Sequence, residues 1–405
     1  MDNAGQARAT TEAPRRRPPG ISRWGAVVAA GFLAFAAPVM AGSGGAKALW
    51  ATAGSWPMYR GNPALTGVTP ARPPERLKLR WKHATEGAVL SSAAIVGGVV
   101  YVGSDDEHLY ALDLRDGSVR WRFKTGGAVE SSPLVLGDRV YVGSGDGKLY
   151  CVSRETGRLE WAVETGDQIL GAPNATLAPD GRSPWILAGS YDTMLYCVDA
   201  VTGRTNWVYE TGNYINGSPA VDDGRTVFGG CDAILHVVRL KDGQKVAEVE
   251  AGAYIAGSVA LADGRAYFGH YDNEFLCVDL RKAEVVWRFR DRNFPYFSSP
   301  AVAEGRVVFG GRDRRVHCVQ AADGKELWHL QTRGKVDSSP VVAGGRVYVG
   351  SDDGRLYVLD LKTGRELDRY EIGEAITASP AIVDGVLVIG SEDGAVYCFG
   401  ETPSR

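Results

Sequence analysis

Cysteine and histidine are scarce in this chain, which has 6 of each among its 405 residues. No two cysteines are adjacent, and no pair of cysteine and histidine residues has the spacing of a zinc site. The sequence also lacks a glycine-rich phosphate loop that opens a helix, and it shows no arrangement typical of a catalytic triad. The formal net charge is only −3, so no strongly basic surface indicates nucleic-acid binding. We therefore identify no catalytic, cofactor-binding or metal-binding residue from these residue types.

The first 41 residues differ in composition from the rest. Four arginines between positions 15 and 23 precede an apolar run from Trp24 to Ala41, with Val39 and Ala41 at the small-residue positions that a signal peptidase reads. We predict a signal peptide or an N-terminal membrane anchor over residues 1–41, so that the remainder is exported to the periplasm or cell envelope. Both alternatives stay open, because the run is about long enough for a short transmembrane helix. The first cysteine is Cys151, so a lipid-modified N-terminus is not supported.

The chain is rich in glycine, with 52 residues, and these glycines punctuate an internal repeat. The stretch YVGSDDGRLYVLDLKTGREL, which begins at Tyr348, has counterparts that begin at Tyr101 and Tyr141. When all copies are aligned on one apolar position, they follow each other in steps of 40, 46, 40, 40, 41, 40 and 40 residues. A period this regular indicates an array of similar supersecondary units. The aligned positions are Ala111, Cys151, Cys197, Val237, Cys277, Cys318, Val358 and Cys398.

Each copy contains four short apolar runs separated by turn residues. Four antiparallel strands, repeated radially, form one blade of a β-propeller, which protects its strand edges by closing into a ring. The eighth copy ends after its third strand, whereas residues 77–85 form a fourth strand without the first three. We therefore predict an all-β fold, an eight-bladed β-propeller of four-stranded blades over residues 77–400, in which the N-terminal strand completes the last blade. Residues 42–76 form a Gly/Pro-rich lead-in segment, and residues 401–405 form a C-terminal tail.

An aspartate precedes the aligned position by five residues in every copy. We predict that its side chain caps the turn between the second and third strands by binding backbone amides. A shared calcium site is not expected, because equivalent positions in eight blades lie around a ring. The residues are Asp106, Asp146, Asp192, Asp232, Asp272, Asp313, Asp353 and Asp393.

Five of the six cysteines occupy the aligned position, where the other copies have alanine or valine. The position therefore requires a small apolar side chain. Adjacent blades stack at about 10 Å, beyond the roughly 7 Å between Cα atoms that a disulfide tolerates. We predict five buried free thiols, and Cys231, in a turn, has no evident partner. His236 and His317 stand where most copies have tyrosine, which predicts a packing role for both.

The stretch ALDLRDGSVRW, from Ala111 to Trp121, has the form A-x-D-x-x-x-G-x-x-x-W and recurs fully or in part in four further copies. It resembles the tryptophan-docking repeat of pyrroloquinoline quinone (PQQ)-type eight-bladed propellers. The stretch WPMYRGNPALTG at 56–67 is similar to the lead-in segment of the same family. The resemblance implies that the tryptophans lock neighbouring blades together. The corresponding residues here are Trp81, Trp121, Trp161, Trp207, Trp287 and Trp328.

The resemblance implies one of two functions. Quinoprotein dehydrogenases of this family bind PQQ and calcium near the propeller axis, whereas BamB-like outer-membrane assembly factors are not enzymes. The quinoprotein alcohol dehydrogenases are longer and commonly carry a vicinal cysteine pair, which this chain lacks. No tight set of Glu, Asn and Asp residues stands out as calcium ligands. The BamB-like proteins are tethered through a lipidated cysteine, which this chain also lacks. We predict no catalytic residue and no cofactor, with PQQ and Ca²⁺ as the alternative.

Function is expected where the copies differ from one another. The turns that enter each first strand and the GSxDG turns emerge on one face, and in copies three to six they carry aromatic and basic residues typical of protein interfaces. Two interpretations stay open, because these side chains either bind a partner or only cover blade edges. The residues are Tyr191, Tyr214, Asn216, Tyr254, His270, Tyr271, Arg292, Asn293, Phe294, Tyr296, Phe297, Arg312 and Arg314.

The sequence thus predicts an exported, non-catalytic and monomeric propeller that serves as a scaffold for a protein partner in cell-envelope or outer-membrane protein assembly. One alternative is a periplasmic quinoprotein dehydrogenase that depends on PQQ and calcium. Another is a propeller that binds a small ligand or a glycan. Contact with the membrane is expected only through the N-terminal segment, if that segment is not cleaved.

Overall fold

Residues 54–401 are described by the computed structural model, and they form β-strands without a helix. The predicted signal peptide or anchor at 1–41 lies outside the described residues, as do positions 42–53 of the lead-in segment and 402–405 of the tail. Within the described range, no helix has the length and apolar character that crossing a membrane requires. The N-terminal part contributes β1 (Val68–Thr69) and β2 (Leu79–Ala84).

Eight sheets follow, and each is one blade. Blades 1 to 3 consist of β3 (Ala94–Val96), β4 (Val99–Ser104), β5 (His108–Asp113), β6 (Val119–Lys124), β7 (Leu134–Leu136), β8 (Arg139–Gly143), β9 (Lys148–Ser153), β10 (Leu159–Glu164), β11 (Asn174–Leu177), β12 (Pro184–Gly189), β13 (Met194–Asp199) and β14 (Thr205–Glu210). Blades 4 to 6 consist of β15 (Ala220–Asp222), β16 (Arg225–Gly229), β17 (Ile234–Arg239), β18 (Lys245–Glu250), β19 (Ala260–Ala262), β20 (Arg265–Gly269), β21 (Phe275–Asp279), β22 (Glu284–Phe289), β23 (Ala301–Ala303), β24 (Arg306–Gly311), β25 (Arg315–Gln320) and β26 (Glu326–Gln331). Blades 7 and 8 consist of β27 (Val341–Ala343), β28 (Arg346–Ser351), β29 (Arg355–Asp360), β30 (Glu366–Glu371), β31 (Ala381–Val383), β32 (Val386–Ser391) and β33 (Ala395–Gly400), completed by β1 and β2.

The ring closes through the N-terminal strand, which confirms the predicted eight-bladed propeller. Strand β2 pairs antiparallel with β33 and places Trp81 opposite Cys398. The sequence did not predict the role of β1, which pairs parallel with β27 and gives blade 7 a fifth strand. The lead-in segment therefore belongs to the propeller instead of only preceding it.

The middle strands of each blade form the core, because neighbouring blades cover both of their faces. All six residues of β4 are buried, whereas the outer strand β6 alternates between exposed and half-buried side chains. This alternation follows from strand geometry, since successive side chains point to opposite faces of a sheet.

The repeated tryptophans join one blade to the next. The indole N–H of Trp81 donates a hydrogen bond to the carbonyl of Leu114 at 3.0 Å, and its ring lies against Gly117. Gly117 has a φ of +74°, and a Cβ there would come within 2.6 Å of the ring, so only glycine fits. Five further tryptophans donate to a carbonyl of the following blade in the same way: Trp121, Trp161, Trp207, Trp287 and Trp328.

The repeated aspartates tie seven of the eight turns to a tyrosine or histidine four residues further along the chain. Asp146 accepts the backbone N–H groups of Gly126 and Lys148 and the hydroxyl of Tyr150, at 2.6 to 3.1 Å. Asp272 is exposed, because Leu276 replaces the tyrosine of this arrangement and offers no hydroxyl. Asp393 accepts the equivalent hydrogen bond from Tyr397 and a further one from Lys82.

The cysteines are free thiols, and the five at the aligned position are buried, as predicted. Burial raises the pKa of the Cys277 thiol to about 11 and those of Cys151, Cys318 and Cys398 to about 12. Because the thiolate is the reactive form, we expect an aromatic disulfide reagent to modify only Cys231 in the folded protein at pH 8. Counting released chromophore before and after denaturation should give one and then six thiols, and two or more fast thiols in the folded protein would show that blades open.

Candidate functional site

The central channel is closed at one end by the lead-in segment. Its carbonyl groups accept hydrogen bonds of 2.7 to 3.0 Å from the innermost strands of six blades. These strands are the inner edges of their sheets, and their N–H groups would otherwise lack a partner. The donors are Ile95, Val135, Val221, Leu261, Val302 and Val342.

Arg60 fixes this closure from the centre of the ring. Its side chain is buried, and its guanidinium donates hydrogen bonds to the carbonyls of Pro300, Ser339 and Pro340 at 2.6 to 3.0 Å. Burial lowers the pKa of Arg60 to about 10. Tyr59 beside it donates a hydrogen bond to the hydroxyl of Ser299. Its side chain forms part of the floor of the open end of the channel.

A ring of serine side chains surrounds the axis above this floor, and we call it the serine ring. Each hydroxyl accepts a hydrogen bond from the backbone N–H of the equivalent residue in the preceding blade. There are seven such hydrogen bonds, of 2.8 to 3.2 Å. Ala172 takes the place of serine in blade 3, so the ring is interrupted there. The members are Ser92, Ser132, Ser218, Ser258, Ser299, Ser339 and Ser379.

The channel mouth above the serine ring holds a polar cavity of about 190 Å³. The residue two positions before each serine-ring position lines this cavity, and these residues differ from blade to blade. Glu130, Asn216, Phe297 and Asp337 bring charged, amide and aromatic side chains to it. The mouth is therefore the place where the repeat becomes asymmetric.

Aromatic side chains from blades 3 to 6 lie along one side of this mouth. Tyr191 stacks on Tyr214 with ring centroids 5.1 Å apart and an angle of 6° between the planes. Tyr271 contacts Tyr254 and Phe297, with centroid distances of 6.3 and 4.8 Å. Tyr214, Tyr254 and Tyr271 are 46%, 51% and 53% exposed, so about half of each side chain faces solvent. We call these five residues the aromatic arc.

Arg312 ends the aromatic arc on the side of blade 7. Its guanidinium lies 3.7 Å from the centroid of the Phe297 ring, a cation–π contact. The same group makes a two-pronged ion pair with Asp337 at 2.9 and 3.0 Å. Lys335 also binds Asp337, at 2.8 Å. Both basic groups are thus held in place, which gives this end of the arc a defined shape.

Carboxylates occupy the opposite side of the mouth, from blades 7, 8, 1 and 2. They are Asp352, Glu392, Asp105 and Glu130, and we call them the acidic arc. Burial raises the pKa of Glu130, and the charge of Asp105 raises it further. Burial is also the main cause of the raised pKa values of Asp105 and Asp352, and nearby carboxylates that include Glu392 raise both further. Lys335 partly offsets the raised pKa of Asp352. Lys335 is the cation that pairs with the arc, through Asp352 at 3.2 Å, so the arc keeps an excess of negative charge that complements a basic group.

Neutralising this arc should stabilise the fold. Asp105 has a buried carboxylate oxygen without a hydrogen-bond partner, and its pKa lies above the ordinary value of 3.8. We expect Asp105→Asn to raise the free energy of unfolding by about 0.5 to 1 kcal/mol at pH 7. The gain should shrink as the pH falls through 3.8, because the carboxyl then becomes protonated in the unfolded chain as well as in the folded one.

The measurement is urea unfolding at pH 7 and pH 3.5. Asp138→Asn serves as the control, because Asp138 is 84% exposed and pairs only with Arg139 at the surface. A loss of stability in Asp105→Asn at pH 7 would show that this carboxylate has a partner that matters to the fold.

Most residues of the predicted sector lie on this face, and two do not contribute to its surface. His270 and Tyr296 are buried, which corrects the expectation that they face a partner. His270 occupies the serine position of the GSxDG turn, and its Nδ1 accepts the N–H of Asp272 at 3.0 Å. Tyr296 stands where the other copies have valine or isoleucine, and its ring packs against Phe309. Arg292, Asn293, Phe294 and Arg314 are exposed.

The sequence analysis missed the acidic arc, the serine ring and Arg60. Three members of the acidic arc are the variable residue of the GSxDG turn, so comparing that single position across the copies would have revealed them. The serine ring had a signal in the small residues that recur before each first strand. The lead-in segment has no second copy, so nothing in the sequence placed Arg60 on the axis.

Comparison of the sequence with known families gives one match. The sequence model of the family described as outer membrane protein assembly factor BamB matches residues 75–183 and 231–404. No curated protein sequence matches the chain.

Solved structures show the same fold at low sequence identity. BamB from Moraxella catarrhalis superimposes with a TM-score of 0.67 at 19% identity, covering 81% of this chain and 99% of that one. A quinohemoprotein alcohol dehydrogenase from Comamonas testosteroni gives 0.75 at 15% identity, covering 88% and 82%. A europium-containing methanol dehydrogenase gives 0.74 at 14%, covering 88% and 100%. These likenesses establish the propeller, and the match of the family model over most of the sequence shows that the chain belongs to the family described as outer membrane protein assembly factor BamB.

Proposed function

We propose that this protein is a non-catalytic scaffold of the cell envelope, exported by its N-terminal segment, that binds a polypeptide partner at the channel mouth and takes part in assembling outer-membrane proteins. The observation that carries the proposal is the division of the mouth into an aromatic arc and an acidic arc. The family description, an assembly factor of outer-membrane proteins, supports the same role.

The aromatic arc has the chemistry of a protein interface. Half-exposed tyrosines bury a large area at a low cost in side-chain entropy, and they dominate binding hot spots. Here neighbouring rings already hold each other in fixed orientations, as the 6° stack of Tyr191 on Tyr214 shows. A preorganised surface loses little entropy when a partner binds.

The acidic arc adds a charge requirement to the same surface. Asp105, Glu130 and Asp352 are partly buried, whereas Glu392 is exposed. The cation that pairs with the arc is Lys335, which binds Asp352 at 3.2 Å. A partner that places an arginine or lysine on this arc and an apolar side chain on the aromatic arc would satisfy both halves. We therefore propose a segment that combines basic and apolar residues as the bound element.

The mouth fits PQQ and calcium poorly. Its cavity of about 190 Å³ is below the roughly 300 Å³ at which small-molecule pockets usually begin. PQQ carries three carboxylates, which need cationic partners. Arg312 and Lys335, the cations beside the cavity, are already bound to Asp337. Among residues 54–401, the one group of three convergent metal-ligand side chains includes no residue that lines this cavity. These features favour the scaffold over the dehydrogenase.

Site-specific photo-crosslinking in the native host tests the proposal. A photoreactive phenylalanine derivative replaces Tyr254 in the full-length protein, and the control carries it at Val201, which is 52% exposed in a turn on the opposite face. We expect a discrete adduct with one polypeptide from position 254 and none from position 201. Equal adduct patterns from the two positions, or no adduct at either, would contradict partner binding at the mouth.

A further inference from the structure

Three side chains converge away from the channel, two on blade 6 and one on the connection from blade 5. One ligand atom each from Asp291, His317 and Glu326 lies within 4.8 Å of the other two. His317 is in β25 and Glu326 in the adjacent strand β26, whereas Asp291 follows β22 of blade 5. The cluster therefore joins two blades through groups that commonly bind metal ions.

His317 is oriented for ligation by a buried carboxylate. Its side chain is fully buried, and Nε2 donates a hydrogen bond of 2.9 Å to Asp313, which is also buried. This bond assigns the proton to Nε2 and leaves the lone pair on Nδ1. Nδ1 has no hydrogen-bond partner, and Glu326 lies 3.8 Å away, beyond hydrogen-bond distance. A carboxylate behind the imidazole is the usual second partner of a metal-binding histidine.

Blade 4 contains an equivalent histidine, His236, whose two ring nitrogens both have hydrogen-bond partners. His236 also binds an aspartate through Nε2, at 2.8 Å, but its Nδ1 is hydrogen-bonded to the hydroxyl of Tyr209 at 3.1 Å. Phe289 takes the place of Tyr209 next to His317. The two ring pairs have nearly the same geometry, with centroids 5.6 and 5.5 Å apart. The missing hydroxyl is thus the specific reason why Nδ1 of His317 lacks a partner.

We propose that Asp291, His317 and Glu326 form a binding site for a divalent transition-metal cation of the Zn²⁺ class. One imidazole and two carboxylates are a donor set that zinc accepts, whereas calcium and magnesium prefer oxygen donors alone. Tetrahedral ligands about 2.0 to 2.1 Å from zinc lie about 3.3 Å apart, so the ligand atoms, which lie within 4.8 Å of one another, need to approach by up to about 1.5 Å. Water completes the coordination.

The surrounding charges favour a dication. Asp291, Glu326 and Asp313 carry three negative charges, and Arg315, which forms an ion pair with Asp291, contributes one positive charge. His329 binds the other oxygen of Glu326 through Nδ1 at 2.9 Å and so holds that carboxylate in place. The bound metal ties the connection after β22, which carries the exposed Phe294, to the outer strand of blade 6.

Zinc titration of the purified, metal-free protein tests the site. We expect isothermal titration calorimetry to show one strong Zn²⁺ site per chain that millimolar Ca²⁺ does not displace. Asp291→Asn and Glu326→Gln each remove one ligand from a partly exposed position, so the fold should persist while affinity falls at least tenfold. Glu248→Gln, beside His236 in blade 4, is the matched control and should leave affinity unchanged.

A second variant tests the reason for the site. Phe289→Tyr restores the hydroxyl found in blade 4, so we expect it to engage Nδ1 and to weaken zinc binding while both carboxylates remain. Folding of each variant is checked by its thermal transition. The proposal is overturned if the parent protein binds no zinc, if water alone occupies the cluster in a zinc-soaked crystal, or if Asp291→Asn and Glu326→Gln bind zinc as tightly as the parent.

Discussion

The Trp81→Ala variant is expected to lose about 3 to 5 kcal/mol of free energy of unfolding. Trp81 is 7% exposed, donates its indole N–H to Leu114 and covers Gly117 of blade 1. It also lies on β2, the strand that completes blade 8 and closes the ring without a covalent link to β33. Removing the side chain therefore has two effects: it leaves a cavity, and it weakens the contact that closes the ring between blades 8 and 1. Urea unfolding measured by far-ultraviolet circular dichroism gives the change.

Two controls separate closure from docking. Leu79→Ala alters an exposed residue of the same strand and should change stability by less than about 0.5 kcal/mol. Trp121→Ala removes the same docking contact between blades that are consecutive in the chain. Amide hydrogen exchange in β2 should accelerate in Trp81→Ala and not in Trp121→Ala. Unchanged exchange in both would mean that β2 does not hold the ring closed.

Combined replacement of Tyr254, Tyr271 and Arg312 by alanine is expected to reduce partner affinity by about 100-fold or more. The two tyrosines are half exposed, and Arg312 fixes Phe297 at the end of the aromatic arc. Asp337 keeps its bond to Lys335 when Arg312 is removed, so the fold should persist. The measurement is the yield of the photo-adduct from a probe at position 214, followed by titration with the identified partner.

The fold of the triple variant is verified by its thermal transition, which should stay within a few degrees of the parent. Val201→Ala, on the opposite face, should leave the adduct yield unchanged. Full adduct yield from the triple variant would assign the tyrosines to blade-edge packing, the interpretation that the sequence left open.

The sequence predicted the ring because the repeat itself encodes it. A period near 40 residues with four strand patterns per copy determines the blade, and the unmatched strand at each end determines closure. The position of β1 was not predictable in the same way. Lead-in residues bind the ring mainly through backbone carbonyl groups, which every residue type has. Their path across the channel therefore does not require particular residues and cannot be read from the sequence.

The candidate site was predicted in part. Tyr214, Tyr254 and Tyr271 are exposed as the sequence suggested, because they stand at turn positions. Tyr296 was assigned to the same surface because it precedes a first strand and differs from the other copies, although its place in the repeat belongs to buried valine and isoleucine. The orphaned nitrogen of His317 depends on one hydroxyl that Phe289 lacks, a detail that becomes visible only when neighbouring strands are in register.

Titration of the purified protein with PQQ, with and without Ca²⁺, tests most directly whether the channel mouth is a binding face for a polypeptide or a cofactor pocket. Tryptophan fluorescence and cofactor absorbance report binding. The account predicts no saturable change in either signal at cofactor concentrations up to about 100 μM, with or without calcium. Saturable binding at one site per chain that requires Ca²⁺ would contradict it and would assign the protein to the quinoprotein dehydrogenases.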